Sequence, residues 1–151
     1  MSANELIGIR NTATQDVVVN GLVNLGSVYR RFIEKSKCSC VPTLTSDGTS
    51  VTLNRRGIYH ITITAIVSAP VAGDVTLQLE ENGVVIPGAI ATETIATATT
   101  EFRTLTIDYF ALVDSDLILN CPTTTAKTIT LRNIGVASTI TNMVINVVKE
   151  V

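Results

Sequence analysis

His60 is the only histidine in the 151 residues, so any Ser-His-Asp or Cys-His arrangement would have to use it as its base. It stands within Gly57-Ile58-Tyr59-His60-Ile61-Thr62-Ile63-Thr64-Ala65-Ile66-Val67, mid-segment beside threonines rather than on a loop at a cleft. A packed or interfacial histidine is therefore favoured over a catalytic one. Three copies gathered near a symmetry axis could bind a metal or form a pH-sensitive contact, and the sequence leaves both open. Cys38-Ser39-Cys40 puts two thiols on one face of an extended segment, and Cys121 is distant. This spacing lacks the second ligand pair of a persuasive zinc site, so the thiols read as small buried hydrophobes.

The remaining polar groups suggest no chemistry either. Glu80, Glu81, Asp114 and Asp116 are expected at turns, solvated, with a calcium site as the alternative. Arg30, Arg31, Lys35 and Lys37 form a small basic cluster that reads as a solvated face. There is no phosphate-cradling glycine loop. A saccharide site would want exposed aromatic platforms; the chain has six aromatics and no tryptophan, and Tyr59 and Tyr109 are claimed by the core. No catalytic residue, metal or cofactor is expected, and an enzyme is the least favoured class.

The elements that would position these residues are strands. In the segment around His60, Tyr59, Ile61, Ile63, Ala65 and Val67 alternate with His60, Thr62 and Thr64, the period of a strand with one buried face. The chain holds 23 Thr, 18 Val and 16 Ile, whose restricted χ1 suits the pleated conformation. Its length fits a single domain with its own core. Eleven basic and thirteen acidic residues give a net charge of -2, which offers no footprint for nucleic acid or an anionic membrane. Only 16% of residues are charged, and mean hydropathy is +0.39, so some apolar surface is expected to be covered by other subunits. The opening residues lack a basic region followed by a long apolar run, which predicts no signal peptide, a cytoplasmic product and free thiols.

Along the chain, Leu6 to Ile9 reads as a short first strand, with residues 1–10 as an N-terminal attachment arm. Asn20-Gly21 predicts a hairpin between Val17-Val18-Val19 and Leu22-Val23-Asn24-Leu25. Leu22 to Ile33 also fits helical spacing, although Gly21 and Gly26 favour a strand and an irregular crossing. Val51 to Leu53 precedes the central strand, which Pro70 ends. Val75, Leu77 and Leu79 share one face of a strand that Asn82-Gly83 turns back into Val84-Val85-Ile86. Ala89 to Thr100 fits a weak strand or a surface connection. Phe102 to Val113 reads as a core strand, with Leu105, Ile107, Tyr109 and Ala111 opposite Phe102, Thr104, Thr106 and Phe110. Leu117 to Leu119, Ile129 to Leu131 and Met143 to Val151 complete eight to ten strands.

This order of motifs resembles the globular domain shared by C1q and tumour necrosis factor, and most closely its bacterial and phage branch. The motifs are Gly57-Ile58-Tyr59-His60-Ile61, similar to the family's G-x-Y central strand, and Val75-Thr76-Leu77-Gln78-Leu79-Glu80-Glu81-Asn82-Gly83, similar to its strand ending in an Asn-Gly turn. Tyr109 to Leu119 resembles the segment leading through an acidic turn to a short strand, and Met143 to Val148 resembles the last apolar strand. The likeness runs from about Asn11 onward. Two departures stand out: there is no collagen-like Gly-X-Y repeat, and Asp114-Ser115-Asp116 stands where relatives often have a glycine before the aspartate.

The resemblance implies an all-β, two-sheet antiparallel jelly-roll sandwich of about ten strands that assembles as a homotrimer around a three-fold axis. It further implies that Tyr59, Ile61 and Ile63 fill the sandwich while His60, Thr62, Thr64 and Ile66 face neighbouring subunits. The parity of the other interface strands stays open. The expected role is a structural virion protein decorating or cementing a phage capsid, assembled in the host cytoplasm and partnered by the major capsid or another virion protein. A receptor-binding knob on a tail or head fibre, touching a host surface, and a spore-surface component are the alternatives.

Overall fold

The computed structural model describes residues 5–32, 42–54, 56–113 and 126–150. The β-branched bias is realised as strands throughout: among the described residues there are eleven strands and no helix. They are β1 (Glu5–Asn11), β2 (Gln15–Val17), β3 (Ser27–Phe32), β4 (Thr43–Leu44), β5 (Ser50–Leu53), β6 (Gly57–Ser68), β7 (Gly73–Glu81), β8 (Val84–Ile95), β9 (Arg103–Val113), β10 (Lys127–Asn133) and β11 (Ser138–Lys149). One sheet runs β3-β1-β11-β6-β9, with β2 paired to the start of β11; the other runs β4-β5-β10-β7-β8. Every pairing between them is antiparallel.

The core lies between the two sheets, and alternation decides which residues enter it. Tyr59, Ile61, Ile63, Ala65 and Val67 of β6 are all buried, as are Leu105, Ile107 and Ala111 of β9. Ile7 and Ile9 of β1 and Val75, Leu77 and Leu79 of β7 join them, and each such side chain contributes about 1.5–3 kcal/mol by leaving water. At one end Glu5 lies in register with Lys149 and Lys149 with Tyr59, and all three are buried.

Several local expectations hold and several are corrected. Asn82 and Gly83 carry φ of 52° and 78°, the pair of positive angles that a two-residue hairpin turn needs, and they join β7 to β8. Asn20 also has positive φ, 64°, and the Gly21 amide donates to the Val18 carbonyl at 2.9 Å, so the turn forms. The hairpin does not form. β2 pairs with β11 in one sheet while Leu22 bridges Arg132 in the other, because the turn carries the chain from one layer to the next. Residues 21–26 form no helix and lead into β3, and Ala89 to Ile95 continues β8. The last strand begins at Ser138, earlier than its apolar run suggests, because β2 and β6 pair with its polar start.

The attachment-arm reading of residues 1–10 does not describe 5–10. These belong to β1, hydrogen-bonded between β3 and β11 with Ile7 and Ile9 in the core. Glu80 and Glu81 are also not at a solvated turn. Their strand lies beside β10, where Glu80 meets Arg132 at 2.5 Å and Glu81 meets Lys127 at 2.5 Å, and Glu80 is mostly buried. Cys38, Cys40, Cys121, Lys35, Lys37, Asp114, Asp116 and the strand expected at Leu117 to Leu119 lie outside the described residues.

Candidate functional site

The strand alternation that fills the core also builds the opposite face of the β3-β1-β11-β6-β9 sheet. With Tyr59, Ile61, Ile63, Ala65 and Val67 turned inward, Ile58, His60, Thr62, Thr64 and Ile66 must turn outward. Register then fixes the parity that the sequence left open in the neighbouring strands. His60 stands opposite Val148 of β11 and Phe110 of β9, and Val148 stands opposite Leu6 of β1, itself paired with Phe32 of β3. One row across the face therefore reads Phe32, Leu6, Val148, His60, Phe110. The two phenylalanines at its ends are 56% and 57% exposed, and Leu112 one step further along β9 is 54% exposed.

His60 is the polar centre of this row. Its ring stacks on Phe110 with centroids 4.4 Å apart and planes 13° from parallel. Nε2 donates to Asp108 Oδ1, and Nδ1 lies 3.7 Å from Glu150 Oε1. The single histidine is thus clamped between two carboxylates and against an aromatic ring. Among the described residues both ring nitrogens face carboxylates rather than a hydroxyl or thiol, which is poor geometry for activating a nucleophile. Among the described residues no group of three or more His, Cys, Asp or Glu side chains could hold a metal ion.

The next row runs through Gly8, Asn146, Thr62 and Asp108. A bulge in the pairing of β1 with β3 turns Tyr29 over Gly8, where a Cβ would come within 2.8 Å of the tyrosine ring. The Tyr29 hydroxyl reaches across to donate to Asn146 Oδ1 at 3.0 Å, and the Arg10 guanidinium lies 5.2 Å from the ring centroid. Arg10 and Arg30 mark the β3 edge of the face, whereas Asp108 marks the β9 edge. Opposite charges therefore stand at opposite edges.

A second apolar surface adjoins the first on the flank where β8 and β9, the edge strands of the two sheets, lie side by side. Val84 and Val85 are exposed there beside a shallow cleft of about 210 Å³ that also touches Tyr109.

All four residues expected at an interface, His60, Thr62, Thr64 and Ile66, thus lie on one outward face. Asp108 and Glu150 beside His60 were not foreseeable, because partners 48 and 90 residues away meet it only through strand register. The sequence placed Phe110 on the face of its strand opposite Leu105 and Ile107 with the parity open, and its stacking on His60 was not visible. Tyr29 over Gly8 depends on a bulge, for which a glycine in a strand is the one available signal.

No protein-family model matches the chain, and no curated protein sequence matches it. Its architecture does match solved structures. The globular domain of zebrafish complement 1qA aligns over 95% of this chain and 94% of its own, with a TM-score of 0.61 at 7% identity. Eiger TNF from S. frugiperda aligns over 100% and 94%, with a TM-score of 0.64 at 11% identity. Murine APRIL aligns over 97% and 98%, with a TM-score of 0.61 at 10% identity. The chain has the two-sheet antiparallel jelly-roll fold of C1q and tumour necrosis factor domains.

Proposed function

We propose that the chain is a non-catalytic structural module that works as a homotrimer on the surface of a phage particle, decorating or cementing the capsid. The observation that carries the assembly is the outward face of the β3-β1-β11-β6-β9 sheet. Exposed aromatics sit at both ends of one row, basic and acidic groups stand at opposite edges, and a second apolar flank adjoins it. A face and a flank on the same chain make a heterologous contact, which closes into a ring when the rotation allows. His60, Thr62, Thr64 and Ile66 would then be covered by a neighbouring copy, with Arg10 and Arg30 of one copy facing acidic groups such as Asp108 of the next. Steered pairing of that kind fixes orientation more than it adds affinity.

The virion role is supported by the motif order, which resembles the phage branch of the fold, and by a weakly charged, threonine-rich chain suited to subunit packing. The assembly is tested by light scattering on the purified protein, which should give three times 16.1 kDa; a monomer would remove the interface argument. The location is tested by quantitative mass spectrometry of purified particles. A copy number matching the capsid lattice supports decoration, and a handful of copies would move the protein to a fibre tip. Absence from virions and presence on spores would give it to the spore surface.

A further inference from the structure

The end of the sandwich where β6 stops and β11 starts is apolar at its loop tips. Turns usually carry glycine, asparagine, aspartate or serine. Here Val18 and Val71 are 69% and 68% exposed, Phe102 is 53% exposed, and Val19 and Ile134 are exposed as well. Hydrogen bonds lace these loops into one surface. The Asn20 amide donates to the Asn133 carbonyl at 2.6 Å, the Val136 amide to the Asp74 carbonyl at 2.9 Å and the Thr99 amide to the Ala69 carbonyl at 2.9 Å. Glu101 accepts the Ala96 and Thr97 amides and the Arg103 guanidinium, which fastens the 96–102 connection from within. Between this connection and residues 69–70 lies an open cleft of about 320 Å³ whose lining includes Ala69, Pro70 and Phe102. Loops fastened in this way need little further ordering when something covers them.

The internal segments outside the described residues, 33–41, 55 and 114–125, all join the opposite end, where Leu6 pairs with Phe32, Gly57 with Val113 and Leu53 with Lys127. The twelve residues of β6 span about 40 Å, so reaching the apolar end and returning takes about 80 Å, twice what the longest of these segments covers when fully extended. The face and flank proposed as the contact between copies run along the strands, so a ring built from them leaves this end open. A further copy set end to end would meet its own charge. Asp16 accepts the Thr139 hydroxyl at 2.9 Å and Asp74 the Thr94 hydroxyl at 2.7 Å, whereas Arg103 is paired with Glu101 and Arg132 with Glu80. Arg10 lies on the sheet face against Tyr29. The loop end is therefore net acidic among the described residues.

We infer that this end is a docking surface for a different protein, one that presents aliphatic or aromatic side chains flanked by lysine or arginine. The loop tips and the cleft take the apolar side chains, and Asp16 and Asp74 meet the cations, which fixes orientation and speeds encounter. An acidic protein or an anionic lipid surface would be repelled. The inference rests on the particle reading for where the partner is found, as a protein of the shell. It moves the attachment from the expected N-terminal arm, whose residues 5–10 start at the opposite end, to the loops.

The test places the photoreactive residue p-benzoyl-phenylalanine at position 71 or 102 of the full chain, and at position 110 for comparison. The producing culture is irradiated, and adducts are recovered from its particles and from its cells. Positions 71 and 102 should each link to one different protein, while position 110 gives multiples of 16.1 kDa. The double substitution Asp16→Asn, Asp74→Asn should lower the yield at position 71 several-fold, and Asp74→Arg should lower it further. The proposal is overturned if positions 71 and 102 give no adduct, if they link only to a further copy or to lipid, or if neither charge change lowers the yield. Position 110 keeps the assembly reading separate, because that reading falls if no multiple of the chain mass appears there, whatever positions 71 and 102 do. A linked protein found in cells and not in particles would remove the virion reading and leave the docking end in place.

Discussion

His60 of β6 and Phe110 of β9 stack face to face across the outward surface of the sheet, centroids 4.4 Å apart. The stack fixes the imidazole plane so that one ring nitrogen meets Asp108 and the other points toward Glu150. One face of the Phe110 ring is taken by the imidazole, yet the residue stays 57% exposed. An aromatic held in place by its neighbours and left uncovered has lost its ordering entropy before a partner arrives, which is what a good contact residue requires.

If the chain assembles as proposed, Phe110→Asp is accordingly expected to separate that trimer into 16.1 kDa chains while leaving the fold intact. The side chain contributes nothing to the core, so circular dichroism should be unchanged. In the proposed trimer each copy would lose about 1.5–3 kcal/mol of apolar burial, roughly tenfold to a hundredfold per contact, and would also desolvate a charge. A variant that still scatters light as three chains would show that this face is not the contact.

Gly8 and Tyr29 form a second relationship on the same face. A methyl group at position 8 would sit 2.8 Å from the tyrosine ring, so Gly8→Ala must displace Tyr29 and break its hydrogen bond to Asn146. The clashing atoms are the far end of a 40% exposed side chain that can swing away, so the expected cost is that of the lost hydrogen bond, about 0.5–1.5 kcal/mol, a fall in melting temperature of a few degrees. Tyr29→Ala should absorb much of that cost. In a double-mutant cycle measured by urea unfolding, the two losses should be clearly less than additive; simple additivity would mean that the close approach is not what excludes a side chain at position 8.

The fold was legible in the sequence because it depends on a local signal. Alternation in Tyr59 to Val67 and Val75 to Leu79 names the buried face of each strand without reference to any other strand, and Asn82-Gly83 names its turn from backbone angles alone. The same logic put His60, Thr62, Thr64 and Ile66 together. What was not legible depends on register between distant strands: Asp108 and Glu150 around His60, and Arg132 on Glu80. The failed hairpin at Asn20-Gly21 has the same origin. Its turn is local and correct, whereas the partners of its two arms are β11 and β10, more than a hundred residues away.

Asn133 holds that crossing in place. It is fully buried, and its Nδ2 donates to the Val136 carbonyl at 2.8 Å and the Val17 carbonyl at 3.2 Å while Oδ1 accepts the Gly135 amide at 3.1 Å. Asn133→Asp should be the more damaging of two substitutions, because a carboxylate cannot donate to the carbonyls and would place a charge in the core. Asn133→Ala should cost about 2–4 kcal/mol by leaving several buried backbone groups unpaired. Equilibrium unfolding decides the matter. A loss below about 1 kcal/mol for Asn133→Ala would mean that the crossing is held by its backbone bonds to Asn20 and Val23 instead.

The connection between β8 and β9, residues 96–102, should open in acid, because Glu101 Oε2 accepts the amides of Ala96 at 2.5 Å and Thr97 at 2.9 Å. Glu101 is held below the usual glutamate range, first by the Thr97 amide, then by the Arg103 side chain and the Ala96 amide, all of which favour the carboxylate. A carboxyl group whose folded value is depressed adds stability that is present above its unfolded value and is lost as pH falls through the folded one. The 96–102 connection should therefore be ordered at neutral pH and loosen below the ordinary glutamate range, seen as faster hydrogen exchange at the Ala96 and Thr97 amides than intrinsic acid rates explain. Asp47 is depressed as well, by the Thr45 hydroxyl and then the Thr49 amide, so its own turn before β5 should loosen in the same direction. Glu101→Gln separates the two, because it removes the acid transition at Ala96 and Thr97 and leaves that at Thr49. If Thr97 exchange in Glu101→Gln still rises in acid as in wild type, the carboxylate is not what fastens the loop, and the bond from the Thr99 amide to the Ala69 carbonyl, 2.9 Å, must hold it instead.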